Sequence, residues 1–224
     1  MSFVLIALAL LIAVLDWLAV GVNFKPLEYL AKPGVMVVLF LWIWNTAGLK
    51  GPVIWFALGI LFSLAGDIFL MLPREQFIFG LIAFLIAHLL YIAGFNTTLP
   101  PLNLASLAVT LLIGLTAMKV YPRIAAGIAA QGHQNLQKPV LAYTAVISLM
   151  VLSAMLTLAR PDSEWQPLPA ILVSAGALLF FLSDTLLAWN KFIRVLDYGQ
   201  LKVKVPYHLG QISIIVGAVL HFLF

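Results

Sequence analysis

Eight stretches of this chain run almost without charge for roughly the length of a bilayer crossing, and short polar segments separate them. Read by hydropathy they cover residues 3–20, 34–48, 53–72, 77–95, 102–118, 140–158, 168–189 and 207–224. A helix needs about 20 apolar residues to cross a hydrocarbon core, and lipid satisfies no backbone hydrogen bonds. The pattern therefore predicts an all-α polytopic membrane helix bundle with about eight transmembrane helices. The second stretch is the shortest, and Lys32-Pro33 in front of it predicts a helix start, because proline in the first turn sacrifices no helical hydrogen bond. The longest connections, near residues 120–138 and 190–206, leave no room for a soluble domain, so residues 1–224 read as a single integral membrane domain. The apolar start has no basic leader region and carries Asp16, so it is expected to remain as the first helix.

Lysine and arginine divide unevenly among the connections. Those after the first, third, fifth and seventh stretches hold Lys25, Lys32, Arg74, Lys119, Arg123, Lys138, Lys191, Arg194, Lys202 and Lys204, whereas the opposite ones hold only Lys50 and Arg160. Basic loops stay cytoplasmic, so both termini are expected on the non-cytoplasmic face, at the inner membrane if the host is bacterial. The formal charge of +4 comes from these flanking residues. They form no patch interleaved with aromatics, and nucleic acid is not expected as a partner. The absence of cysteine removes disulfides, thiolate metal ligands and a cysteine nucleophile. Trp17, Trp42, Trp44, Trp55, Trp165 and Trp189 fall mostly near the ends of stretches, where interfacial anchors belong.

Two carboxylates interrupt the apolar pattern, Asp67 after Ser63-Leu64-Ala65-Gly66 and Asp184 after Phe180-Phe181-Leu182-Ser183. A charged residue at the centre of a spanning helix costs roughly 2.5–3.5 kcal/mol on insertion scales, which makes both candidate functional groups. The third and seventh helices run toward the cytoplasm. At about 1.5 Å per residue each aspartate lies about 8 Å from its helix end, so the two are expected at one depth. Lys32 and Lys138 reach the same leaflet, with Tyr143 one turn inside the sixth helix; Tyr207, His208 and Gln211 open the eighth there. His88 and Tyr91 lie three residues apart, on one face of the fourth helix near the midplane.

Together these residues outline a cavity facing the cytoplasmic leaflet, with carboxylates at its mouth and an aromatic floor, a shape that suits an amphiphile. The halves also echo one another. Lys32-Pro33 matches Lys138-Pro139 and Gly66-Asp67 matches Ser183-Asp184 at an offset of four helices, which admits a parallel internal repeat. Plainer roles exist for each residue: ion pairing for the aspartates, interhelical hydrogen bonds for His88 and Tyr91, and interfacial anchoring for the lysines. His133 and His221 stand apart from the cluster. No histidine pair has the spacing of a zinc motif, and there is no glycine-rich phosphate loop or Gly-x-Ser-x-Gly elbow, so neither a metal nor a cofactor is expected.

In this order and spacing, Lys32-Pro33, Gly66-Asp67 with Leu70-Met71, Phe77, Gly80, Phe84, His88 and Tyr91 make one half of a pattern. Pro139, Tyr143, Met150, Ser183-Asp184, Asn190-Lys191-Phe192, Tyr207 and Gln211 make the other. On these residues the chain resembles the lysoplasmalogenase family, the YhhN-like or TMEM86-like integral membrane proteins. The resemblance covers nearly the whole chain and is weakest over residues 192–206. It implies cofactor-free hydrolysis of the vinyl ether bond of lysoplasmalogens, alkenyl-glycerophosphocholine or alkenyl-glycerophosphoethanolamine, to a fatty aldehyde and a glycerophospho-base.

That chemistry needs an acid to protonate the outer alkene carbon and a second carboxylate to stabilise the oxocarbenium ion or activate water, a division of labour like that of glycosidases. Asp67 and Asp184 are assigned these roles without order. His88 and Tyr91 would orient water or substrate, and Lys32 or Lys138 would hold the phosphate. Tyr143, Tyr207, His208 and Gln211 complete the expected binding residues. Two other readings stand beside this one: a metal-dependent hydrolase of another lysolipid using the same aspartates, and a small-molecule or lipid transporter. Against the transporter, the stretches lack mid-depth Gly or Pro interruptions.

Overall fold

A helix in lipid must satisfy its backbone groups within itself, and the computed structural model, which describes residues 3–72, 76–101, 103–161 and 164–223, meets that demand with eight long helices. Arg74 of the basic loops lies outside them. The helices are α1 (Val4–Gly21), α2 (Lys25–Ala47), α3 (Val53–Met71), α4 (Phe77–Phe95), α5 (Leu104–Ala130), α6 (Gln137–Leu156), α7 (Pro167–Phe192) and α8 (Gly199–Leu223). Short 3₁₀ turns flank α6 on both sides. Eight helical segments among the described residues are long and apolar enough to cross a membrane, and the protein is an all-α polytopic membrane protein.

Three helices run past the boundaries that hydropathy predicts, each through a proline. Helix α2 begins at Lys25, so Pro33 lies inside it and does not start it. Helix α5 continues through Pro122 to Ala130, and α8 begins before Pro206. A proline inside a helix removes one hydrogen bond, which a packed membrane bundle tolerates. The polar residues of two of these extensions are paired. Lys204 of α8 donates to Asp16 of α1 and Glu28 of α2, at 2.9 Å each, and a neutralised ion pair can be buried where a lone charge cannot. Pro139, by contrast, does fall in the first turn of α6. Trp42 and Trp165 also depart from expectation: both are buried, Trp42 in the core and Trp165 stacked on His221.

Sequential helices pack as pairs, α1 with α2, α3 with α4, α5 with α6 and α7 with α8. Helix α2 also packs on α3 and α8, and α6 packs on α7 and α4. These contacts therefore correspond at an offset of four helices. The α7–α8 contact is made close by small residues. A Cβ on Gly176 would lie 2.7 Å from the Gly210 carbonyl oxygen and 2.8 Å from the Ile214 amide nitrogen. Because the obstacle is backbone, Gly176→Ala is expected to push the two helices apart and cost about 1–3 kcal/mol, read as a lower unfolding midpoint in detergent. Helix α5 is the most peripheral, packing chiefly on α6 and exposing Leu107, Leu111, Leu112 and Leu115.

Candidate active site

Each aspartate sits in its own buried polar cluster. Asp67 on α3 is fully buried; one carboxylate oxygen lies 2.9 Å from the Lys32 ammonium and the other accepts a 2.7 Å hydrogen bond from the Tyr207 hydroxyl. Lys32 reaches it because α2 starts early: two turns into a helix, its side chain points inward and is 11% exposed. Gly66 has a packing reason to precede Asp67, since a Cβ there would meet the Phe84 ring at 2.6 Å.

Asp184 on α7 accepts a short hydrogen bond from the Tyr143 hydroxyl of α6. His88 of α4 closes the cluster, with Nε2 2.9 Å from the Tyr143 oxygen and 3.4 Å from the same Asp184 oxygen. Tyr143 has one hydroxyl proton and directs it to Asp184, so His88 Nε2 is the donor to the Tyr143 oxygen. The proton order runs from His88 through Tyr143 to Asp184. Ser183, beside Asp184, donates to the Val203 carbonyl at 2.8 Å and ties α7 to the first turns of α8.

The two clusters obey the same offset of four helices. Asp67 draws its partners from α2 and α8, and Asp184 draws its partners from α6 and α4. Between them stand aromatic rings. Phe180 lies 4.7 Å from the His88 ring and 5.3 Å from the Tyr207 ring, and Phe84 meets both Phe180 and Tyr207 edge-on. The sequence expectation of one cavity holding both carboxylates is thus replaced by two clusters flanking an aromatic partition.

Only Asp184 reaches the apolar cavity. This cavity, about 50 Å³, is enclosed by α4, α5, α6 and α7, with Phe77, Leu81, Ile124, Ile147 and Phe181 on its walls and Tyr143 and Asp184 as its polar edge. The Asp184 side chain is 12% exposed, whereas that of Asp67 is fully enclosed. Leu70 and Leu187 also line it, each one turn beyond an aspartate toward the basic end of the bundle.

Other expected residues serve elsewhere. Tyr91 donates to Gln211 at 2.7 Å and Gln211 donates to Ser63 at 2.8 Å, a fully buried strut between α4, α8 and α3 that also reaches Tyr207, the hydrogen-bond partner of Asp67. Tyr91 fits there because Gly59 leaves room for its ring. His208 accepts from the Trp17 indole at 3.1 Å and stacks on it, on the α1 side of α8. Lys138 is exposed at the start of α6 and lines neither the apolar cavity nor the polar one beside Lys32. None of these four lines the apolar cavity or the polar one beside Lys32, because helix rotation, which depth counting ignores, sets the face each presents. The sequence reading also passed over the buried Asp16, Glu28 and Lys204 cluster. Asp16 inside an apolar stretch was its one signal.

Among the described residues no three His, Asp or Glu side chains gather as metal ligands would. No solved structure matches the chain. Several proteins do. A mouse (Mus musculus) protein, lysoplasmalogenase TMEM86B, is 29% identical over 188 residues, covering 84% of this chain and 72% of its own length. Its human (Homo sapiens) counterpart is 31% identical over 210 residues, covering 91% of this chain and 76% of its own. A lysoplasmalogenase of Mycobacterium bovis is 31% identical over 171 residues, 73% of this chain and 59% of its own. The model of the YhhN family matches residues 27–218, a span that includes both aspartate clusters, and the chain belongs to that family.

Proposed function

We infer that this chain is a lysoplasmalogenase, a membrane-embedded hydrolase that cleaves the vinyl ether bond of a lysoplasmalogen to a fatty aldehyde and a glycerophospho-base. The observation that carries the reading is a carboxylate, Asp184, held by a phenol and an imidazole at the wall of an otherwise apolar cavity. A hydrolase for a soluble substrate has no use for that wall. A lysolipid does, because its alkenyl chain is apolar up to the reacting carbons. The named relatives support the same reading.

In the proposed mechanism Asp184, in its acid form, delivers a proton to the outer alkene carbon. The double-bond electrons form that C–H bond, leaving an oxocarbenium ion shared between the inner carbon and the ether oxygen. Water adds to the inner carbon and gives a proton back to the Asp184 carboxylate, producing a hemiacetal. Collapse of the hemiacetal breaks the bond to the glycerol oxygen, which takes a proton as the hydroxyl proton leaves, and the aldehyde is released. Tyr143 and His88 hold the Asp184 carboxylate on the cavity and exchange protons with it along their hydrogen bonds. Asp67 acts through Lys32, which it fixes beside the polar end of the substrate, so the two aspartates play unequal roles.

Tyr143→Phe keeps the cavity wall and removes the hydroxyl, and turnover is expected to fall about 10²-fold, the usual size of a lost catalytic hydrogen bond, measured as aldehyde released under saturating lipid. The basic end of the bundle is assigned to the cytoplasm by the positive-inside rule, at the inner membrane if the host is bacterial. The reading is tested by incubating purified protein in neutral detergent with a lysoplasmalogen. Aldehyde and glycerophospho-base in equal amounts, insensitive to chelators, are expected. Loss of activity on chelation would favour the metal-dependent reading, and uptake into proteoliposomes without products would favour transport.

A further inference from the structure

Beside Lys32, at the basic end of the bundle, lies a second cavity of about 210 Å³ with Lys25, Glu28 and Tyr29 of α2, Asn190 of α7 and Lys204 of α8 on its walls. It shares Leu70 and Leu187 with the apolar cavity. The two cavities therefore adjoin, the apolar one beside Asp184 and the polar one beside Lys32, in the order that the two ends of one elongated amphiphile require. Building on the hydrolase reading, we propose that this cavity seats a head group carrying both phosphate and ammonium, with Lys25 and Lys32 on the phosphate and Glu28 and Tyr29 on the ammonium.

The charges are arranged for exchange. Glu28 holds Lys204 on one carboxylate oxygen at 2.9 Å and Lys25 on the other at 2.8 Å. Lys204 is committed, being buried and bonded to Asp16 as well. Lys25 is not: its side chain is 47% exposed while that of Glu28 is 8% exposed, so Lys25 is the partner that can swing out to solvent. A phosphate at the mouth draws Lys25 off Glu28 and frees that oxygen for an ammonium group. Lys32 gives one of its three ammonium protons toward Asp67 and keeps others for the phosphate. Tyr29, next in the chain and 45% exposed, offers a ring face to the same cation.

Net charge selects among head groups. Lys25, Lys32 and Lys204 are balanced by Asp16, Glu28 and Asp67. A zwitterion leaves that balance intact. A bare phosphate monoester brings extra negative charge beside the Glu28 carboxylate and no ammonium to offset it, which costs binding.

The test uses glycerophosphoethanolamine and glycerol 3-phosphate as head-group probes, titrated into the full-length protein in uncharged detergent and followed by their phosphorus resonances. Wild type is expected to bind the zwitterion more tightly. Lys25→Gln should weaken both probes about fivefold. Glu28→Gln should weaken only the zwitterion, about fivefold. Because Glu28→Gln also loosens Lys204, Tyr29→Leu on the exposed face serves as the second variant and should weaken only the zwitterion, about threefold. No preference for the zwitterion in wild type, or equal losses for both probes in Glu28→Gln and Tyr29→Leu, overturns the proposal. Aldehyde release from a lysoplasmalogen separates it from the hydrolase reading. Protein that releases aldehyde without these binding differences keeps the hydrolase and loses the head-group seat, and protein that shows the differences but releases no aldehyde does the reverse.

Discussion

Asp184→Asn is expected to lower lysoplasmalogen turnover about 10³-fold, the scale on which a positioned general acid contributes, while the protein keeps its fold. The substitution removes the transferable proton and little else. Asparagine has nearly the shape of aspartate, and its carbonyl oxygen can still accept from the Tyr143 hydroxyl. The position is partly open to the cavity, so the change leaves no sealed charge behind. Turnover and unfolding midpoint, measured on one preparation in detergent, check both halves of the expectation. A folded variant that retains a tenth of wild-type turnover would remove Asp184 from the role of acid.

The second large effect concerns stability. Lys32→Met leaves Asp67 fully enclosed with its ammonium partner gone, and breaking a buried pair from one side costs about 3–5 kcal/mol. The double change Lys32→Met with Asp67→Asn removes both charges and is expected to recover most of that loss, because a buried pair is worth little against its neutral replacement. Recovery of folding without recovery of activity would assign Lys32 to substrate and Asp67 to the placement of Lys32. If the double variant turned over lipid like wild type, this cluster would be structural only. If it stayed as unstable as Lys32→Met, the Tyr207 hydrogen bond to Asp67 would be carrying the stability instead.

The eight helices were legible because apolar length is a strong signal and membrane chains have few alternatives to it. Their ends were less so. Lys25, Glu28, Lys202 and Lys204 read as loop residues one at a time, yet three of them meet in ion pairs that let α2 and α8 start early. Pairing across the bundle has no local signature. The same holds for the site. Asp67 and Asp184 were visible as isolated acids in apolar segments, and Lys32, His88, Tyr143 and Tyr207 do meet them. Depth along a helix was enough to bring Lys32, Tyr143 and Tyr207 to the leaflet of the aspartates, with His88 nearer the midplane. It could not say which faces met: Tyr91 and Gln211 bond to each other and to Ser63, and His208 turns to Trp17, so none of the three touches an aspartate of the pair. The match between Lys32-Pro33 and Lys138-Pro139 misled for a related reason: Pro139 begins its helix and Pro33 does not, which buries one lysine and leaves the other exposed.

Vinyl ether hydrolysis by carbon protonation is tested most directly by running the reaction in heavy water and weighing the aldehyde as it forms. The account predicts an aldehyde carrying one deuterium on the carbon next to the carbonyl, released in equal amount with the glycerophospho-base by wild type and not by Asp184→Asn. Folded wild-type protein that yields no aldehyde, or aldehyde without that deuterium, would contradict it.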